Sequence, residues 1–237
     1  MKVCVMNFSG NVGKTTVSGH LLKPRMDDAP IFSVESLNVD ASADGLEVEK
    51  VRGKRFGDLV EQLMMVDDAV IDVGASNVEE FLKLMQQYSG SHEEFDYFLI
   101  PTVKEKKQQA DTVNTIRALS KLGIPRSKIR LVFNRVEVDE NVEDEFASLF
   151  GLAELEKSFT LKPGAVIYQN EVFERLKAVG KSLDEITSDE TDYRAKMREP
   201  GISQDDKEHC VRMVSLKRLG ATAKDNLDGV FKTLFGK

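Results

Sequence analysis

Residues 9–16, Ser-Gly-Asn-Val-Gly-Lys-Thr-Thr, put two glycines, a lysine and two threonine hydroxyls directly after an apolar run, a combination suited to holding oligophosphate. Gly10 and Gly13 would let the backbone curl with its N–H groups turned inward, and Lys14 and Thr15 would open a helix whose N-terminus favours anions. Gly10, Asn11, Val12, Gly13, Lys14, Thr15 and Thr16 are therefore the candidate contacts to a nucleoside triphosphate. Lys14 would neutralise the β and γ phosphates, and the Thr15 hydroxyl would ligate Mg²⁺, which prefers octahedral oxygen coordination. The usual spacing G-x-x-x-x-G-K-[ST] has glycine where this chain has Phe8, so the loop is irregular. A glycine turn beside an ordinary surface lysine is the competing reading.

Three further residues stand where short apolar runs end. Asp72, in Val70-Ile71-Asp72-Val73-Gly74, could hold Mg²⁺ through a water, as the acid of a Walker B strand does; a simple strand-end cap is the alternative. Glu35, after Ile31–Val34, could touch the metal or orient a water, although an acid at a strand end is common. Asn134, in Phe133-Asn134-Arg135, carries a donor and an acceptor and could read the edge of a nucleobase, against the plainer role of a turn-forming Asn.

The elements that must position these residues follow from periodicity. Apolar β-rich runs recur at Val3–Phe8, Ile31–Val34, Ala69–Val73, Phe95–Ile100 and Ile129–Phe133, with helical spacing between them. Phe56, Leu59, Val60, Leu63 and Met64 form one helical stripe, and Val78, Phe81, Leu82 and Met85 another. A third helix runs from about Gln108 to Leu122 and is stopped by Gly123 and Pro125. The alternation predicts an α/β domain: a mostly parallel, twisted sheet flanked by helices on both faces. Ligands of such sheets bind beyond the carboxyl ends of the strands, where all the candidate residues fall.

A domain over 1–180 is expected, followed by a charged mobile excursion or linker over 181–208, where periodicity fades and Glu199-Pro200-Gly201 occurs. Helical character returns over 209–237, with Leu227, Val230, Phe231, Leu234 and Phe235 on one face. That helix would dock on the domain; a partner- or membrane-binding tail is the alternative, with Lys232 and Lys237 a weak anchor. Arg212, Lys217, Arg218 and Lys224 make the most basic neighbourhood, which could touch DNA phosphates or form a solvated helix face. A net charge of −7 gives no chain-wide attraction to nucleic acid or anionic lipid. Two cysteines without metal or C-x-x-C spacing, no signal layout, and no apolar run near the roughly 18 residues that span a bilayer lead us to expect a soluble, cytoplasmic protein.

Over about residues 1–180 the order of these motifs resembles the ParA/MinD group of deviant-Walker ATPases, P-loop proteins, and more narrowly the plasmid-stability StbB proteins. The resemblance rests on residues 9–16, Val34-Glu35, Val70-Ile71-Asp72 and Phe133-Asn134-Arg135. It implies ATP and Mg²⁺ as cofactors, phosphate and metal contacts from Gly10, Gly13, Lys14, Thr15 and Thr16, Asp72 as the Walker B acid, and Asn134 as a base contact. It also implies a homodimer formed with nucleotide, and partners among other plasmid-stability proteins bound to DNA. The family loop reads K-G-G-x-G-K-[ST], and its first lysine reaches across the dimer. Ser9 stands at that position here, Asn11 replaces the second glycine, and Leu37 falls where the family has a second strand-end aspartate. Lys104, Lys106 or Lys107 could supply the missing charge. The expected function is nucleotide-controlled dimerisation or partner docking with slow ATP hydrolysis; the alternatives are a non-hydrolysing nucleotide-binding adaptor and a nucleotide-dependent small-molecule ligase or kinase.

Overall fold

The five apolar runs each form a strand because their alternate residues can bury on opposite faces of one sheet. A computed structural model describes residues 1–26, 29–34, 48–51 and 56–236. The strands are β1 (Lys2–Val5), β2 (Ile31–Val34), β3 (Val48–Val51), β4 (Ala69–Val73), β5 (Tyr97–Thr102), β6 (Ile129–Val136) and β7 (Val166–Tyr168). They make one seven-stranded sheet in the order β3-β2-β4-β1-β5-β6-β7, and every pairing is parallel. Both edge strands escaped the sequence reading: β7 has three residues, too few for a visible alternation.

Strand parity divides the core in two. Cys4, Ile71, Val73, Phe98, Ile100, Leu131 and Phe133 pack against α2 (Phe56–Met64), α3 (Val78–Gln87), α4 (Lys106–Lys121) and, beyond the short α5 (Val142–Glu145), α6 (Ala147–Glu156). Val3, Val5, Val70, Leu99, Val132 and Ile167 face the opposite layer. That layer starts with α1 (Lys14–Thr16), which widens into a π-helical stretch at Val17–Leu22, and continues with α7 (Val172–Val179), α8 (Leu183–Ser188), α9 (Tyr193–Lys196) and α10 (Gln204–Phe235).

The segment expected as an excursion or linker over 181–208 is instead built into this second layer. Ser182 and Glu185 form a reciprocal capping box on α8, Asp192 caps α9, and Leu183, Ile186 and Tyr193 are buried. The helices are too short for their periodicity to show in sequence. The last helix starts at Gln204 rather than near 209, with Ser203 as its N-cap. Its stripe of Leu227, Val230, Phe231 and Leu234 is buried in the core, each side chain contributing roughly 1.5–3 kcal/mol. That face is occupied by the protein itself, so the alternative of a membrane- or partner-binding tail does not have it to offer. Its last carbonyls accept from two cations: Lys162 Nζ donates to Thr233 O at 2.6 Å, and Arg130, stacked 3.7 Å from the Tyr97 ring centre, donates to Leu234 O. Among the described residues no helix is long and apolar enough to cross a membrane.

Candidate phosphate-binding site

Register brings the candidate residues together. β1 lies between β4 and β5, and Val5 is the register partner of Asp72, so the carboxylate stands beside the strand end from which the loop departs. Asp72 has the parity of Val70, and Asn134 that of Val132, so both face the α1 layer where Lys14 lies. A bulge at Arg135, with φ +57°, ends the regular β6 pairing and returns Val136 to the opposite core.

In the loop, Gly13 adopts φ +90°, a conformation reserved in practice for glycine. A Cβ on it would sit 2.0 Å from Asn134 Nδ2. Asn11 is also left-handed at φ +57°, which Asn tolerates better than most residues. Gly10 is not in the left-handed region, and a Cβ there would meet nothing in the protein. Among the described residues, the N–H groups of Gly10, Asn11, Val12 and Gly13 meet no hydrogen-bond acceptor. Such a row of free donors at the entry to a helix is suited to phosphate oxygens.

Lys14 Nζ folds back onto the loop and donates to Ser9 O at 2.8 Å and Asn7 O at 3.5 Å. Burial pushes its pKa below the usual lysine value, and the nearby Asp72 carboxylate partly offsets that shift. Burial also pushes the Cys4 thiol well up, reinforced by the same carboxylate, so Cys4 is an inert core residue. Asn134 is buried and donates from Nδ2 to Val12 O at 2.9 Å, which ties β6 to the loop.

Some candidates are not brought together. Glu35 lies outside the described residues, as does Leu37. Lys104 pairs with Glu140, and Lys106 and Lys107 are exposed on the first turn of α4. In the basic neighbourhood, Lys217 donates to Thr191 O at 3.2 Å and Lys224 lies 3.9 Å from Asp184, while Arg212 and Arg218 are exposed.

The sequence reading missed a second set of residues under the loop. Asn7 is fully buried; its Nδ2 donates to Pro101 O at 2.9 Å and Thr112 Oγ1 at 2.8 Å, and its Oδ1 accepts from Ser9 N at 2.8 Å. Thr115 Oγ1 accepts from Phe8 N at 3.1 Å. A usable signal was present: the inward stripe of α4 is Gln109, Thr112, Thr115, Ile116 and Leu119, and buried polar side chains require partners.

No protein-family model matches the chain, and neither does any curated protein sequence. Solved structures do. MinD of Aquifex aeolicus in its MinC:MinD complex aligns with a TM-score of 0.59 at 12% identity, over 100% of this chain and 96% of that one. A single-residue variant of Cyanothece McdA, solved in complex with ATP, aligns at 0.52 and 15% identity over 96% of both chains. A ParA family ATPase from Chlorobium tepidum aligns at 0.52 and 14% identity, over 76% of this chain and 89% of that one. The fold is that of the ParA/MinD ATPases. Ser9, which the sequence resemblance sets at the first lysine of the family loop, is 5% exposed. Its side chain is too short, and too enclosed, to carry a charge to another molecule.

Proposed function

We propose that this chain is an ATP-binding protein of the ParA/MinD type that acts in plasmid stability or positioning in the cytoplasm, with nucleotide controlling dimerisation or partner docking. The observation that carries the reading is the loop itself: Gly13 in a conformation that excludes a side chain, N–H groups from Gly10 to Gly13 with no acceptor among the described residues, and a partly buried Lys14 near Asp72. These donors fit an oligophosphate, and a hydroxyl with a carboxylate fits Mg²⁺. Lys14 would release Ser9 O to bind phosphate, Thr15 and Asp72 would hold the metal, Thr16 would add a phosphate contact and Glu35 would orient water. Asn134, already bonded to Val12 O, would present its remaining polar atom to the base. Mg²⁺ held there would supply charge neutralisation for the phosphates. Hydrolysis is slow in this reading, because Ser9 and Leu37 lack the groups that would stabilise charge and orient water.

Calorimetry with ATP and Mg²⁺ tests the proposal: wild-type protein should bind and Lys14→Ala should not, and equal affinity would remove the phosphate-loop assignment. Phosphate release measured with and without plasmid-stability partners tests turnover, which Asp72→Ala should abolish. A non-hydrolysing adaptor is the second reading, favoured by the enclosed Ser9. It predicts ATP binding with no partner-stimulated release. A homodimer with nucleotide, contact with DNA-bound partners, and a role in conjugation belong to the same proposal.

A further inference from the structure

The loop is gripped from both faces of the sheet, and only one grip comes from the nucleotide motifs. On the α1 face Asn134 holds Val12 O. On the other face, α4 holds the entry of the loop: Thr115 Oγ1 accepts the Phe8 N–H, and Thr112 Oγ1 accepts from Asn7 Nδ2, whose Oδ1 accepts the Ser9 N–H. The network continues into the helix, since the Thr112 and Thr115 hydroxyls donate to Gln108 O and Asp111 O one turn back, and Thr112 Oγ1 lies 3.0 Å from Thr102 Oγ1, from which it can accept. Asn7, Thr102, Thr112 and Thr115 are all buried. The carbonyl of Ser9, the residue fixed by Asn7, is the one on which Lys14 rests.

Pro101 explains how Asn7 reaches this place. The β1–β5 register ends at Val5 and Leu99, and Met6 N donates to Leu99 O. Two residues on, Pro101 points the same way and has no N–H to offer a continuing strand, so β1 leaves the sheet. The free Pro101 carbonyl is taken by the Asn7 side chain in place of a backbone donor.

We infer that Asn7, Thr112 and Thr115 are positioning residues for the phosphate loop, with α4 setting the backbone at Phe8 and Ser9 before nucleotide arrives. The inference rests on the nucleotide-binding reading above. With the two entry N–H groups already satisfied, the loop cannot turn them toward the ligand, and phosphate recognition falls to the N–H groups from Gly10 onward. Substituting Thr115→Val keeps shape and volume but leaves the Phe8 N–H without its acceptor, so part of the loop's ordering is then paid on binding. Its affinity for ATP–Mg²⁺ is expected to fall roughly tenfold.

The test measures ATP–Mg²⁺ and tripolyphosphate–Mg²⁺ affinity by calorimetry for wild type, Lys14→Ala, Thr115→Val, Thr115→Ser and Asn7→Ala, with melting temperatures alongside. A positioning role predicts that Thr115→Val weakens both ligands by the same factor at a temperature where the fold is intact, and that Thr115→Ser restores both. If Thr115→Val does not fold, Asn7→Ala carries the test with the same expectation. Wild-type binding that is lost in Lys14→Ala but unchanged in the folded α4 or Asn7 variant overturns the positioning role and leaves nucleotide binding standing. Failure of wild-type protein to bind either ligand overturns both.

Discussion

Replacing Gly13 by alanine tests the geometry of the loop more sharply than removing a charge does. The new Cβ would lie 2.0 Å from Asn134 Nδ2 and 3.3 Å from Asn134 Cγ, so the amide must withdraw. Withdrawal breaks the buried bond to Val12 O, a loss of about 1–3 kcal/mol. An L-residue held in left-handed backbone adds about 1–2 kcal/mol. Together Gly13→Ala should destabilise by about 2–5 kcal/mol, which lowers the melting temperature by about 2–4 °C per kcal/mol in a domain of this size. The contrast is Gly10→Ala, where a Cβ meets nothing and the change should stay within about 0.5 kcal/mol. A double-mutant cycle isolates the contact. In an Asn134→Ala background the clash and the bond are already gone, so Gly13→Ala should add only the backbone strain, and the pair should fall short of additivity by about 1–3 kcal/mol. Urea unfolding of the four proteins supplies the numbers. Additivity within about 0.5 kcal/mol would refute the claim that Asn134 packs on Gly13.

In the proposed reading Lys14 would bind phosphate as a cation; its pKa in the free protein lies below the ordinary 10.5, so ATP affinity should be flat at lower pH and weaken by up to about tenfold per pH unit above the depressed value. The same shift means that the native state binds fewer protons than the unfolded chain, so ligand-free stability should rise as pH climbs between the depressed value and 10.5; calorimetry and urea unfolding across that window check both signs. Asn226 spans the outer edge of β7, accepting from Tyr168 N at 3.0 Å and donating to Val166 O at 2.9 Å, in place of a neighbouring strand. Asn226→Ala should leave that edge open and produce concentration-dependent association in analytical ultracentrifugation, and a monomer at all concentrations would count against it. At the end of α10, Arg130→Ala should lower the melting temperature more than Lys162→Met, because only the arginine adds the stacking on Tyr97 to its carbonyl bond.

The strands were legible because five of them are apolar runs bounded by helical periodicity, and α2 and α3 were legible because their buried faces are purely apolar. The inward face of α4 was harder to read, since Gln109, Thr112 and Thr115 interrupt its apolar stripe. The helix itself was legible, but Thr112 and Thr115, which interrupt its apolar stripe, are the residues that meet the loop. Asn7 was hidden for a related reason. It was counted within the run Val3–Phe8, yet β1 stops at Val5 because Pro101 ends the ladder, and Asn7 becomes a side chain that completes a backbone pattern. Residues 181–208 were illegible because α8 and α9 are six and four residues long, shorter than the window in which a helical period can be seen.

The departures from the family loop have unequal physical weight. Asn11 replaces a glycine at φ +57°, and Asn is among the few residues whose side chain accepts left-handed backbone at modest energy, so the path of the loop survives. Phe8 replaces a glycine of the ordinary motif, but its N–H is already committed to Thr115 and its ring packs against the core, so nothing at that position is asked to approach a ligand closely. Ser9 is different, because conformation does not replace charge. Its backbone is held by Asn7 and its carbonyl receives Lys14, whereas its hydroxyl supplies no cation for phosphate bound to this molecule or another. The loop therefore separates two properties that the family motif combines. Shape, set by glycine, asparagine and the α4 threonines, remains suited to holding phosphate, and the charge that would act between subunits is missing. In the proposed reading, a dimer formed with nucleotide would draw its stability from surfaces other than a cross-subunit charge at Ser9.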